Sequence, residues 1–241
     1  MGIKWLLLII AYAAVGFAQE AENGQYDVVA QAVEKRILAD KKVRIEHLQV
    51  LNKDGGIYLE GVADLYGSRF KAGEYASQTE GVTSVKNQIA VKDHEVSDLE
   101  IEGKLFEQIQ KHLRPEPFDL VSVKVNHGFV TLLGHVRDVT LIDDAFEEAL
   151  WTRGVREVEN KIQAASVGAG DERLRQTIYL RLRREYPLYF AGRFPSFVIL
   201  VEHGRVTLIG YVDSAADKMK ITTMIRSLHG VLSVDNLLEA K

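Results

Sequence analysis

Phe129-Val-Thr-Leu-Leu-Gly134, followed by Gly154-Val-Arg-Glu-Val-Glu-Asn160, is the stretch from which the fold can be read. Asn126-His127-Gly128 precedes it, so glycines fall at 128, 134 and 154 and an asparagine at 160. The same spacing of 6, 20 and 6 residues recurs at Gly55, Gly61, Gly81 and Asn87, and again at Gly204, Gly210, Gly230 and Asn236. Chance does not place twelve positions in one register, so the chain holds three copies of one unit.

Around the glycines the local pattern is clear. Phe129–Leu133 and the preceding Val121-Ser-Val-Lys-Val alternate, with a glycine-containing turn between them. That pattern predicts a β-hairpin whose glycine supplies positive φ. Phe197-Val-Ile-Leu-Val, Glu202-His203-Gly204 and Arg205-Val-Thr-Leu-Ile repeat it; Lys53-Asp54-Gly55-Gly56 makes the turn in the first copy. Upstream of each hairpin lies an i, i+4, i+8 apolar stripe: Val29/Val33/Ile37, Ile101/Leu105/Ile109 and Leu174/Ile178/Leu182. Each predicts one buried helix face, ending near Asp40, Pro115 and Pro187. A second helix follows each hairpin, capped in the third copy by Ser214 with Asp217 three residues on, and Gly81, Gly154 or Gly230 closes it. A final strand runs through Val85–Val91, Val158–Ile162 and Val234–Leu238.

The expected class is therefore α+β: three tandem αββαβ domains, each with two helices on a small three-stranded mixed sheet. Their boundaries read as 26–92, 97–165 and 171–239, joined by short linkers at Lys92–Val96 and Ser166–Gly170. So small a unit has a marginal core, which favours packing among copies. Ahead of them, Trp5–Phe17 is almost unbroken apolar sequence after Lys4, and Gly16-Phe17-Ala18 offers small residues for a signal peptidase. The run is shorter than the roughly 20 residues of a spanning helix. Residues 1–18 are therefore read as a secretory signal cleaved after Ala18, with an uncleaved anchor as the alternative.

The combination of Val130-Thr-Leu-Leu-Gly134 with Gly154-Val-Arg-Glu-Val-Glu-Asn160 resembles the BON domain. It recurs as Val206-Thr-Leu-Ile-Gly210 with Gly230-Val-Leu-Ser-Val-Asp-Asn236; Ile57-Tyr-Leu-Glu-Gly61 in the first copy lacks the threonine. The resemblance covers residues 26 to 239. It implies a periplasmic or outer-membrane-associated protein, phospholipid binding, a part in envelope integrity under osmotic stress, and no shared catalytic residues. Two copies are common in that family, so three is a departure.

The chain as a whole carries a net charge of only −4, which offers no bulk attraction to nucleic acid. The copies differ: residues 19–97 carry −3, 98–170 carry −5 and 171–241 carry +3. Basic residues concentrate in the third, where Arg173, Arg175, Arg181, Arg183, Arg184 and Arg193 interleave with Tyr179, Tyr186, Tyr189, Phe190 and Phe194. With Leu174/Ile178/Leu182 inward, Arg173, Leu180, Arg183 and Arg184 point outward. Guanidinium forks match phosphates, and aromatic rings suit the apolar boundary of a bilayer. Arg173, Arg183, Arg184, Tyr186, Tyr189, Phe190 and Arg193 are thus the candidate site for an anionic phospholipid surface. The alternatives are a contact with acidic residues such as Asp143, Asp144, Glu147 and Glu148, or a merely solvated face. Trp151 stands where the other copies have Gln78 and Ser227, and reads as an interdomain or partner contact.

Other chemistries find little support. No cysteine is present, which excludes disulfides, thiolate metal sites and cysteine nucleophiles. His127 and His203 occupy matching turns, and His127 and His135 lie about 26 Å apart along a strand. His47, His94, His112 and His229 have no ligand spacing. The Asp143-Asp144 and Glu147-Glu148 pairs share one charged helix, and Gly168-Ala-Gly170 lacks the rest of a phosphate loop. No metal, cofactor or enzyme activity is expected. The expected function is a non-enzymatic exported envelope protein that binds anionic membrane surfaces; a periplasmic interaction or chaperone-like adaptor is the alternative.

Overall fold

A computed structural model of the chain describes residues 28–53, 55–113, 116–165, 168–192 and 194–241. The expected signal segment 1–18 and Arg193 lie outside the described residues. The chain forms two compact units: one ends at residue 62 and resumes over 68–90, and the other takes 63–67 with 91–241.

The first copy comprises α1 (Val28–Ala39), β1 (Ile45–Lys53), β2 (Gly56–Ala63), α2 (Tyr66–Ser77), β3 (Ser84–Asn87) and β4 (Ala90–Val91). Its sheet order is β1-β2-β3, with β4 also pairing β2. The last strand, expected to be continuous, is thus interrupted at Gln88–Ile89. The second copy comprises α3 (Asp98–His112), β5 (Leu120–Asn126), β6 (Phe129–Val136), α4 (Thr140–Leu150) and β7 (Glu157–Ala164). The third comprises α5 (Ala169–Glu185), a 3-10 turn (Pro187–Phe190), β8 (Phe197–Glu202), β9 (Arg205–Val212), α6 (Ala215–Arg226) and β10 (Ser233–Ala240). In these two copies the second strand is central, antiparallel to the strand before it and parallel to the strand after it. This is the three-stranded mixed sheet that the sequence predicts, and it occurs in register: Leu132 pairs with Val123 and Asn160, Leu208 with Ile199 and Asn236.

The helical stripes face the sheets. Ile101, Leu105, Ile109, Leu174, Ile178 and Leu182 are all buried, as are Val33 and Ile37. The hairpin turns need two residues of positive φ: His127 at 52° with Gly128 at 78°, and His203 at 49° with Gly204 at 74°. Such a turn leaves consecutive N–H groups pointing the same way. A carboxylate from the preceding helix takes both. Asp98 accepts from the N–H of His127 (2.7 Å) and Gly128 (2.8 Å), and Asp171 accepts from His203 (2.7 Å) and Gly204 (2.9 Å). Each first helix is thereby tied to its hairpin.

The motif asparagine ties the second helix to the last strand. Asn87, Asn160 and Asn236 each donate through Nδ2 to a helix carbonyl, of Arg69, Ile142 and Lys218. Each also accepts through Oδ1 from the backbone N–H two residues on. That N–H would otherwise be an open donor on the outer strand. The middle glycine serves close approach. At Gly134, φ is 152° and an added Cβ would stand 1.9 Å from the carbonyl oxygen of Leu120.

Two measurements check these assignments. Gly134→Ala should destabilise the protein by more than about 1 kcal/mol. Gly103→Ala, in mid-helix with nothing within 4 Å of the new methyl, should stabilise it by about 0.5–1 kcal/mol in denaturant unfolding. The N–H of Gly128, then that of His127, hold the Asp98 carboxyl below its ordinary value. Its contribution is therefore present above the unfolded carboxyl pKa of about 4 and is lost as pH falls through the lowered folded value. Asp98→Asn should shrink the drop in urea midpoint between neutral and acid pH; an unchanged drop would refute the tie.

Candidate functional site

The second and third copies, both in one compact unit, are joined by Glu116-Pro-Phe-Asp119. Phe118 is fully buried and belongs to the core of the third copy, beside Ile178, Leu182 and Phe197. Its ring meets Tyr179 edge-on at 5.4 Å, and the Arg137 guanidinium lies 4.5 Å from its centroid. The N–H of Ile199 donates to the carbonyl of Pro117 at 2.6 Å, which occupies the free edge of β8. Arg137 pairs with Glu116 at 2.9 Å, Asp119 at 3.4 Å and, across the joint, Glu172 at 3.8 Å. Glu172 also pairs with the fully buried Arg175, whose Nη2 donates to the carbonyl of Val201 at 3.0 Å.

The residues expected to form one surface separate in the structure. Arg173, Arg183 and Arg184 are all exposed on α5, but Arg173 is ten residues, about 15 Å along the helix, from Arg183. Arg183 stands 6.0 Å over the Tyr179 ring, and Arg184 lies 3.5 Å from Glu185. The aromatics turn inward. Tyr189 is buried; its hydroxyl donates to Asp217 and accepts from the N–H of Asp213, both at 3.0 Å. Its ring therefore serves the core and is unavailable to a surface. Tyr186 stacks on it at 6.2 Å, and Phe190 meets Tyr179 at 5.5 Å and Phe197 at 5.2 Å. Burial first, with the Asp217 carboxylate adding to it, pushes both tyrosine phenols above their ordinary value.

Two leucines in this segment are exposed. Leu180 is 61% exposed and Leu188, on the 3-10 turn, 82%. Leu180, Arg183 and Arg184 are neighbours at i, i+3 and i+4. Helical spacing marks Leu180 as outward-facing; Leu188 escapes sequence reading because the chain leaves the helix at Pro187. Arg175 escapes it too, since it sits in an arginine-rich run yet falls beside the apolar stripe.

Trp151 reaches from the second copy to a residue of the first, and His112 pairs within its own copy. Trp151 is half-buried at the end of α4. Its Nε1 donates to Glu147 at 3.0 Å, and its ring lies against Gly67, within the same compact unit. His112 pairs with Glu148 at 3.0 Å and Asp144 at 3.8 Å. Among the described residues Arg173, Arg181, Arg183 and Arg184 make no ion pair with α4. No described group of three His, Cys, Asp or Glu could hold a metal ion. No described helix is long and apolar enough to cross a membrane.

The fold defines a class: a repeat protein of three tandem αββαβ units. The chain belongs to the BON domain family, which it matches over residues 27–93, 97–166 and 195–241. BON domains occur in periplasmic and envelope proteins that bind phospholipids, and are in general non-catalytic. The third match begins after α5 and its aromatic turn. No curated protein matches. Among solved structures, the C-terminal domain of CdsD, a structural protein of the type III secretion system of Chlamydia trachomatis, is 14% identical over 90% of this chain and 99% of that one, with a TM-score of 0.25. A second CdsD structure is 15% identical over 88% and 92%, with the same score. At that score the likeness supports no statement about arrangement or role.

Tyr189→Phe separates core from surface. It leaves the N–H of Asp213 without its acceptor, so unfolding in denaturant should show a loss of about 1–3 kcal/mol. Surface residues such as Arg184, changed to Ala, should shift stability by less than about 0.5 kcal/mol.

Proposed function

We propose that this protein is a non-enzymatic exported envelope protein that docks on anionic phospholipid surfaces through the C-terminal end of α5, and so supports envelope integrity under stress. The observation that carries this reading is the grouping of outward Arg183 and Arg184 with the exposed Leu180 at i, i+3 and i+4, followed by the exposed Leu188 on the next turn. Each arginine near an anionic surface contributes about 1 kcal/mol. Full burial of a leucine contributes about 1.5–3 kcal/mol. The sum suits reversible, salt-sensitive adsorption rather than permanent anchoring. The expected location is the periplasm, peripheral to a membrane, after cleavage at Ala18.

An adaptor role is the second reading. It is favoured by a groove of about 320 Å³ between α3 and the chain leading into β8, lined by Phe106, Leu113, Phe194 and Val198. The two part in a vesicle flotation assay at two salt concentrations. The full chain should float with phosphatidylglycerol vesicles at low salt and less at high salt; Arg183→Glu/Arg184→Glu should abolish flotation, and Leu188→Asp should reduce it. Flotation unchanged in the double variant would remove the site assignment, and no flotation with a co-purifying envelope protein would favour the adaptor.

A further inference from the structure

The other end of α5 carries a different feature. An open cavity of about 530 Å³ is lined by Arg173, Thr177, His203, His229 and Leu232. Three basic side chains thus share one concavity, and all three residues are exposed. Arg173 donates through its Nε to the carbonyl of Ala169 at 3.2 Å, and among the described residues its terminal nitrogens have no partner. Neither imidazole has a described carboxylate partner. The acid on the wall, Asp171, is turned to the N–H groups of His203 and Gly204.

By contrast, Arg137 is paired with Glu116 and Asp119, Arg181 with Glu185 and His112 with Glu148. Among the described residues the space is wider than in the second copy. At Gly154 an added Cβ would meet Val96 at 2.8 Å and Ile101 at 2.9 Å; at the equivalent Gly230 the nearest described atom is Leu174 Cδ2 at 3.9 Å. In the second copy the equivalent turn histidine is also engaged, with His127 Nδ1 2.8 Å from Asn126 Oδ1.

We propose that this cavity binds a phosphate ester, with the phosphate held by the Arg173 guanidinium and the imidazoles of His203 and His229, and the organic group resting on Leu232. A guanidinium presents paired donors that match phosphate oxygens. Either imidazole can donate to the same group whether neutral or charged. The volume exceeds that of a bare phosphate and falls within the range of small-molecule sites. The site is independent of the α5 C-terminal surface.

The test is an NMR titration of the His203 and His229 ring protons in the full chain, with glycerol 3-phosphate, inorganic phosphate and dihexanoyl phosphatidylglycerol as separate probes at constant ionic strength. A saturable shift of both rings is expected with glycerol 3-phosphate. Arg173→Ala should weaken it roughly tenfold, as loss of a charge-assisted pair does. His229→Gln provides a second exposed variant, with folding checked by circular dichroism. Arg183→Glu/Arg184→Glu should leave the response unchanged while losing flotation, so failure of either reading is separable. A response to the lipid alone would identify a headgroup as the source of the phosphate. A shift that matches added chloride, or that keeps its full affinity in Arg173→Ala, overturns the proposal.

Discussion

Phe118 is the residue on which the two-copy unit depends. It is encoded in the second repeat but buried with the core of the third, between Tyr179 and the guanidinium of Arg137. A helix pair over three strands buries little apolar area, so a ring borrowed from a neighbour is a large share of such a core. Its insertion brings Pro117 to the edge of β8 and Arg137 within reach of Glu172. Edge, ion pair and ring then hold one another in place.

The same packing shapes the surface. Tyr179, Tyr186, Tyr189 and Phe190 look from composition like groups displayed to a membrane. Instead they form a chain of edge-on and stacked rings running from Phe118 to Phe197. What remains outside is mainly charged, Arg181, Arg183, Arg184 and Glu185, with the two leucines Leu180 and Leu188.

Within each repeat, side chains close what the backbone leaves open. Asp98 and Asp171 occupy the paired N–H groups of the hairpin turn, and Asn87, Asn160 and Asn236 occupy one on the outer strand. The motif asparagine therefore protects a sheet edge as well as joining helix to strand.

By itself the sequence determined the repeat, the order of its elements and the buried helical faces. These depend on local rules: glycine where φ is positive, period 3.6 or 2 elsewhere, and an asparagine whose partners lie at fixed spacing. It also marked α5 as cationic and Leu180, Arg183 and Arg184 as outward. Only the tertiary structure decided that Phe118 crosses into another core, that Tyr189 is buried, that Arg175 is buried within an arginine-rich run, and that Leu188 stands out past Pro187. Each of these turns on which surfaces meet after the elements form. Spacing along one chain carries no information about a neighbour arriving from another repeat.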